Sequence, residues 1–148
     1  MTGDGGRGAA EAEIRALIEA RVRAVRGKDV EGATANYGEN VVLFDVVGPL
    51  QRRGVSGVRE RAGEWFGTFD GAIGYDVGEV QVTAGDDVAF AHYLYHVDAS
   101  LKAGGKVQMW VRATLCYARR DGRWEVVHEH QSVPFDATTG RASLDLEP

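Results

Sequence analysis

The sequence predicts an α+β domain in which N-terminal helices pack on one face of a strongly curved, mostly antiparallel sheet and enclose a pocket. Three observations predict it. Apolar residues recur at helical spacing early in the chain, at Ile14, Leu17, Ile18, Val22 and Val25. Alternating, β-branched and aromatic runs dominate the second half. Residues 108–135, QMWVRATLCYARRDGRWEVVHEHQSVPF, hold two such runs around one Asp121-Gly122 turn, a strong hairpin signal. Helices first and consecutive strands last make an α+β layer order.

Composition narrows the class. The chain has 148 residues, 44% apolar and 26% charged, which suits one domain with one core. A net charge of -5 argues against nucleic acid or an anionic membrane as partner. The single cysteine, Cys116, excludes an internal disulfide. No segment approaches the ~20 apolar residues of a membrane span. The opening MTGDGGRGAAEAE lacks the apolar run of a secretory signal, so a cytoplasmic location is expected.

The elements follow in order. Residues 1–9 are small and Gly-rich and read as a disordered tail. The first helix runs from Glu11 to Gly27, with Arg21 inside its apolar stripe. Asp29 suits an N-cap for a short second helix carrying Val30, Ala33 and Tyr37. Residues 41–47, VVLFDVV, read as a strand closed by Gly48-Pro49, and residues 51–54 as a short return. Ser56 would cap a third helix with the stripe Val58, Ala62, Trp65, Phe66 and Phe69. Strands follow near 75–83 and 88–98, and then the closing hairpin. The domain is expected over residues 10–136, with an acidic surface tail over 137–148.

Two stretches carry a resemblance. Residues 119–135, RRDGRWEVVHEHQSVPF, resemble the end of the calcium/calmodulin-dependent kinase II association domain and of many SnoaL-like proteins. Residues 36–54, NYGENVVLFDVVGPLQRRG, resemble the segment of ketosteroid isomerase that holds its general base. The order of elements is similar to that of the nuclear transport factor 2-like superfamily from about Glu11 to Phe135. The resemblance implies a cone-shaped fold with an apolar pocket, and it puts Asp45 at the position of the base. It also marks departures. The isomerase's oxyanion-binding tyrosine is Arg21 here, and its second donor, a carboxylic acid, falls at or near Leu115. An arginine of the association-domain pocket falls at Gln131.

Strand alternation assigns faces. On the penultimate strand Met109, Val111, Ala113, Leu115 and Tyr117 are expected inward. On the last strand Val127, Glu129, Gln131 and Val133 are expected inward, leaving His128, His130 and Ser132 outside. On the strand before the hairpin, Phe90, His92, Leu94 and His96 are expected inward and Tyr93 and Tyr95 outward. Trp124 is expected to pack locally beside the turn.

The candidate site is built from these. Arg21, charged within an apolar stripe, is expected to point into the cavity and pair with Glu129 or Asp45. Asp45, among apolar neighbours, is a candidate base, with Arg21 or His92 to stabilise developing negative charge, and His92 is also a candidate proton shuttle or substrate anchor. The pocket is expected to be lined by Tyr37, Trp65, Phe66, Phe90, Leu94, His96, Met109, Leu115, Glu129 and Gln131. His128 and His130 share a strand face, but no third ligand stands at useful spacing, so no metal and no cofactor is expected. Tyr93, Tyr95, Trp110, Arg112, His128 and His130 would form an outer face suited to a homodimer. The function expected is proton transfer on a small apolar ketone or polyketide-type substrate, of isomerase or cyclase kind. Binding of a small apolar ligand without chemistry, and an oligomerising scaffold, are the alternatives.

Overall fold

A computed structural model describes residues 3–148. Helix α1 spans Gly3–Arg26 and buries Ala10, Ile14, Ile18 and Val25, one stripe at helical spacing. It starts earlier than expected: residues 3–9 are helical, while residues 1–2 lie outside the described residues. Buried Ala10 anchors the helix, and adding exposed turns to an existing helix is easy compared with nucleating one. Helix α2 spans Val30–Ala33, capped by Asp29, whose Oδ1 accepts from Gly32 N at 3.0 Å. Tyr37, expected on α2, is instead the first residue of strand β1, Tyr37–Phe44.

The two-residue strand β2, Arg52–Arg53, returns along β1. Helix α3, Val55–Gly67, follows at once, and Gly54 rather than Ser56 occupies its N-cap, at φ 84. That left-handed conformation suits glycine. Residues 75–83 do not form one strand. β3 spans Phe69–Val77 and β4 spans Gln81–Ala84, and each pairs with a different half of the long strand β5, Val88–Leu101. β6, Lys106–Arg120, and β7, Arg123–Ser132, form the closing hairpin. Its turn residues Asp121 and Gly122 stand at φ 52 and 76, the two positive values of a type I′ turn. The sheet order is β2-β1-β7-β6-β5-β3, with β4 on β5. All pairings are antiparallel except β1 with β7. The fold is α+β with an open, curved seven-stranded sheet. Past β7 the chain is irregular and mostly exposed, tied by one bridge between Phe135 and Ala142.

Register decides which residues face the helices. Met109, Val111, Ala113, Leu115 and Tyr117 point inward on β6, and four of the five are buried. Their cross-strand partners on β5 are Val97, Tyr95, Tyr93, Ala91 and Ala89. Directly opposed residues share a face. Tyr93 and Tyr95 are therefore buried, and Phe90, His92, Leu94 and His96 lie on the outer face, the reverse of the sequence expectation. Apolar Phe90 and Leu94 suggested the inner set, but the tyrosine hydroxyls find polar partners inside. On β7 the register shifts between Cys116 and Tyr117, leaving Val127 as an extra residue. Ahead of this bulge Trp124 and Val126 point inward, so Trp124 belongs to the core and Val127 does not face the cavity. After it, Glu129 and Gln131 oppose Leu115 and Ala113 and point inward as expected.

Candidate functional site

A cavity of about 180 Å3 lies between the helices and the inner face of the sheet. Its walls are apolar: Val25 from α1, Leu43 from β1, Val58, Trp65 and Phe66 from α3, and Val97, Met109 and Val111 from the sheet. Two ion pairs stand in this lining.

The first is at the floor. Arg21 Nη2 lies 2.8 Å from Glu129 Oε1, with the Glu129 side chain only 1% exposed. Tyr37 donates its hydroxyl to Glu129 Oε2 at 2.5 Å, and Gln131 Nε2 donates to Oε1 at 2.9 Å. Tyr95 in turn donates to Gln131 Oε1 at 2.6 Å. Arg21 stacks over the Tyr37 ring, 5.4 Å from its centroid, and reaches Tyr93 Oη at 3.5 Å. A buried carboxylate is tolerated when it is paired and hydrogen-bonded, and Glu129 is both. Arg21 Nε is buried and has no acceptor among the described residues.

The second pair is at the rim. Asp45 follows β1, and its Oδ2 accepts from Arg61 Nε at 2.7 Å. Its Oδ1 accepts from the backbone N–H of Val46 at 2.7 Å. The Asp45 side chain is 10% exposed and that of Arg61 20%. Helix α3 brings Arg61 to the cavity through the same face that carries Val58, Ala62 and Trp65, positions three and four residues apart.

This arrangement acts on the tyrosines and on Arg21. Burial pulls the Arg21 guanidinium down, but Glu129 above all and then Tyr37 hold it well above its ordinary value. Burial raises Tyr37 well above the usual phenol range. Tyr93 is pushed up to about 12, by burial first, with Arg21 working the other way. Tyr75, Tyr95 and Tyr117 are raised by burial as well.

Arg21, Asp45, Tyr37, Trp65, Phe66, Met109, Glu129 and Gln131, all expected at the site, do line the cavity. Arg21 chooses Glu129 over Asp45. Leu115 faces inward but is core, outside the lining. His92 is on the outer face and cannot shuttle a proton to Asp45. Phe90, Leu94 and His96 are there too, so none of them binds a ligand in this cavity. Tyr93 and Tyr95 drop out of the expected outer face, while Trp110, Arg112, His128 and His130 remain outside the cavity lining. Sequence reading missed Arg61, Thr34, Tyr95 and Val97. Arg61 had a signal: it stands three residues after Val58 and four before Trp65, inside the stripe of α3.

The SnoaL-like domain model matches residues 14–136. The chain belongs to the SnoaL-like domain family. A crystal structure of an NTF2-like protein of unknown function from Pseudomonas putida KT2440 is 37% identical, covering 95% of this chain and 97% of that one, with a TM-score of 0.86. The SnoaL-like chain also shares its fold with an NTF2-like superfamily protein from Salmonella enterica, at TM-score 0.79 and 18% identity over 92% of this chain and 99% of that one. A ketosteroid isomerase-like protein from Erwinia carotovora shares it at TM-score 0.71 and 22% identity, over 82% of this chain and 94% of the other. No curated protein matches the chain.

Proposed function

We propose that this SnoaL-like protein is a small-molecule enzyme that moves a proton on an oxo compound, of isomerase or cyclase kind, without a cofactor. The observation that carries the reading is a carboxylate, Asp45, at the rim of an apolar cup whose floor holds a guanidinium, Arg21. A proton removed beside a carbonyl leaves negative charge on the carbonyl oxygen. Asp45 would take the proton, and Arg21 would stabilise that charge in place of the hydroxyl and carboxyl donors of ketosteroid isomerase. Volume limits the substrate. An apolar cavity of about 150 Å3 takes one benzene, so about 180 Å3 holds a single ring with a small substituent, and any larger part of a substrate would project through the mouth.

Incubating the protein with acetophenone or cyclohex-2-enone in deuterated buffer tests this. Exchange of the proton beside the carbonyl, above the protein-free rate and lost in Asp45→Asn, is expected. No exchange with wild type would overturn it and leave ligand binding without chemistry. One observation favours that second reading: both Asp45 oxygens are already engaged, one by Arg61 Nε and one by the backbone N–H of Val46.

We also propose a homodimer through the outer sheet face. Phe90 is 45% exposed, Leu94 37% and Phe44 36%, with Trp110 against His96 and Phe44 against His128. Such an apolar and aromatic patch suits burial against a second copy.

A further inference from the structure

The polar groups of the cavity are unequal. Both oxygens of Glu129 accept hydrogen bonds, and so do both oxygens of Asp45. The amide of Gln131 is used at both ends. The arginines are not used up. Arg61 gives only its Nε, and neither Nη1 nor Nη2 has an acceptor among the described residues or is buried. Arg21 adds a buried Nε without a partner. Each carboxylate is already matched in charge by a guanidinium, and the charged donors at the rim without an acceptor among the described residues are Arg61 Nη1 and Nη2, which a ligand bearing an anionic acceptor complements.

The two arginines differ in what they have left to give. Arg21, its side chain 14% exposed, already spends Nη2 on Glu129 and Nη1 on Tyr93 and lies over the Tyr37 ring. Arg61 stands at the rim with its side chain 20% exposed. Asp45 holds Arg61 through Nε, which limits rotation of the guanidinium plane. The opposite edge, Nη1 with Nη2, is the fork that grips a carboxylate through two parallel hydrogen bonds.

From this, and resting on the pocket reading above, we infer that the ligand is a small organic acid: one ring or its equivalent in the apolar cup, with a carboxylate held by the free edge of Arg61 at the rim. Asp45 then has a second task, since it orients the arginine that recognises the ligand. A neutral ketone fills the same cup but leaves that edge to water.

Benzoate and benzamide, nearly equal in shape and different in charge, are the probes. Calorimetric titration of the wild-type protein should show benzoate bound roughly ten-fold more tightly than benzamide, about the effect of one charge-assisted fork. Arg61→Gln should erase that ratio, with benzoate losing far more affinity than benzamide. Arg61→Lys, which keeps the charge and loses the fork, should fall between. A ratio near one in wild type, a ratio that survives Arg61→Gln, or no binding of either probe at ~10 mM overturns the inference. If Arg61→Gln does not fold, the wild-type ratio and Arg61→Lys decide. Benzamide binding with proton exchange on acetophenone but no preference for benzoate would sink this inference alone. Loss of exchange alone would sink the enzymatic reading and leave this one standing.

Discussion

Arg21 and Glu129, 108 residues apart in the chain (129 − 21), meet at 2.8 Å beneath the cavity. Glu129, 1% exposed, has no bulk water to replace Arg21. Arg21→Ala would leave a carboxylate 1% exposed beside two neutral donors, Tyr37 and Gln131. Removing one partner of a buried pair costs about 3–5 kcal/mol, or roughly 10 °C in a domain of this size. A thermal melt of Arg21→Ala reads it. The double variant Arg21→Met with Glu129→Leu should recover much of the loss, because it strands no charge.

Asp45 belongs to a more exposed pair. Asp45→Asn keeps the shape and the Val46 hydrogen bond, and it leaves Arg61 partly in water. The expected stability loss is about 1–2 kcal/mol, between that of an exposed pair and a buried one. Ketone exchange should disappear, while calorimetric binding of benzamide should persist. A melt far below wild type would instead mark Asp45 as a structural residue.

All five tyrosines, Tyr37, Tyr75, Tyr93, Tyr95 and Tyr117, are buried, and burial raises every one. Their contribution to stability is complete below the unfolded-state value near 10 and declines as pH rises above it, because only the unfolded chain then releases protons. Each adds up to about 1.4 kcal/mol of loss per pH unit. Absorbance at a tyrosinate wavelength should therefore rise in one steep step above pH ~10, together with loss of the fold. Separate tyrosine titrations in a still-folded protein would contradict this.

The outer face should hold a dimer. Sedimentation of wild type should give twice the 16.0 kDa chain mass at tens of micromolar. Leu94→Arg, outward on β5, should shift the population to monomer without disturbing the cavity. An interface of ordinary size, about 800 Å2 on each partner, is enough for this. A wild-type protein that sediments only as one chain would remove the dimer.

Much of this was written locally. The α1 stripe, the Asp29 cap, the Asp121-Gly122 hairpin and the inward set on β6 follow from period, capping and turn chemistry, which act over a few residues. Arg21 was legible as a buried charge needing a partner, because a cation in an apolar stripe has few other outcomes. Tertiary structure decided the rest. Period two divides β5 into two faces but does not say which is inside, and only pairing with β6 turned Tyr93 and Tyr95 inward and His92 out. One extra residue at Val127 exchanged Val126 for Val127 in the core. The pairing of Arg21 with Glu129, and of Asp45 with Arg61, depended on how α1, β1, α3 and β7 converge. Such pairings join residues far apart in sequence, where local preference carries no information and only packing brings charges within reach.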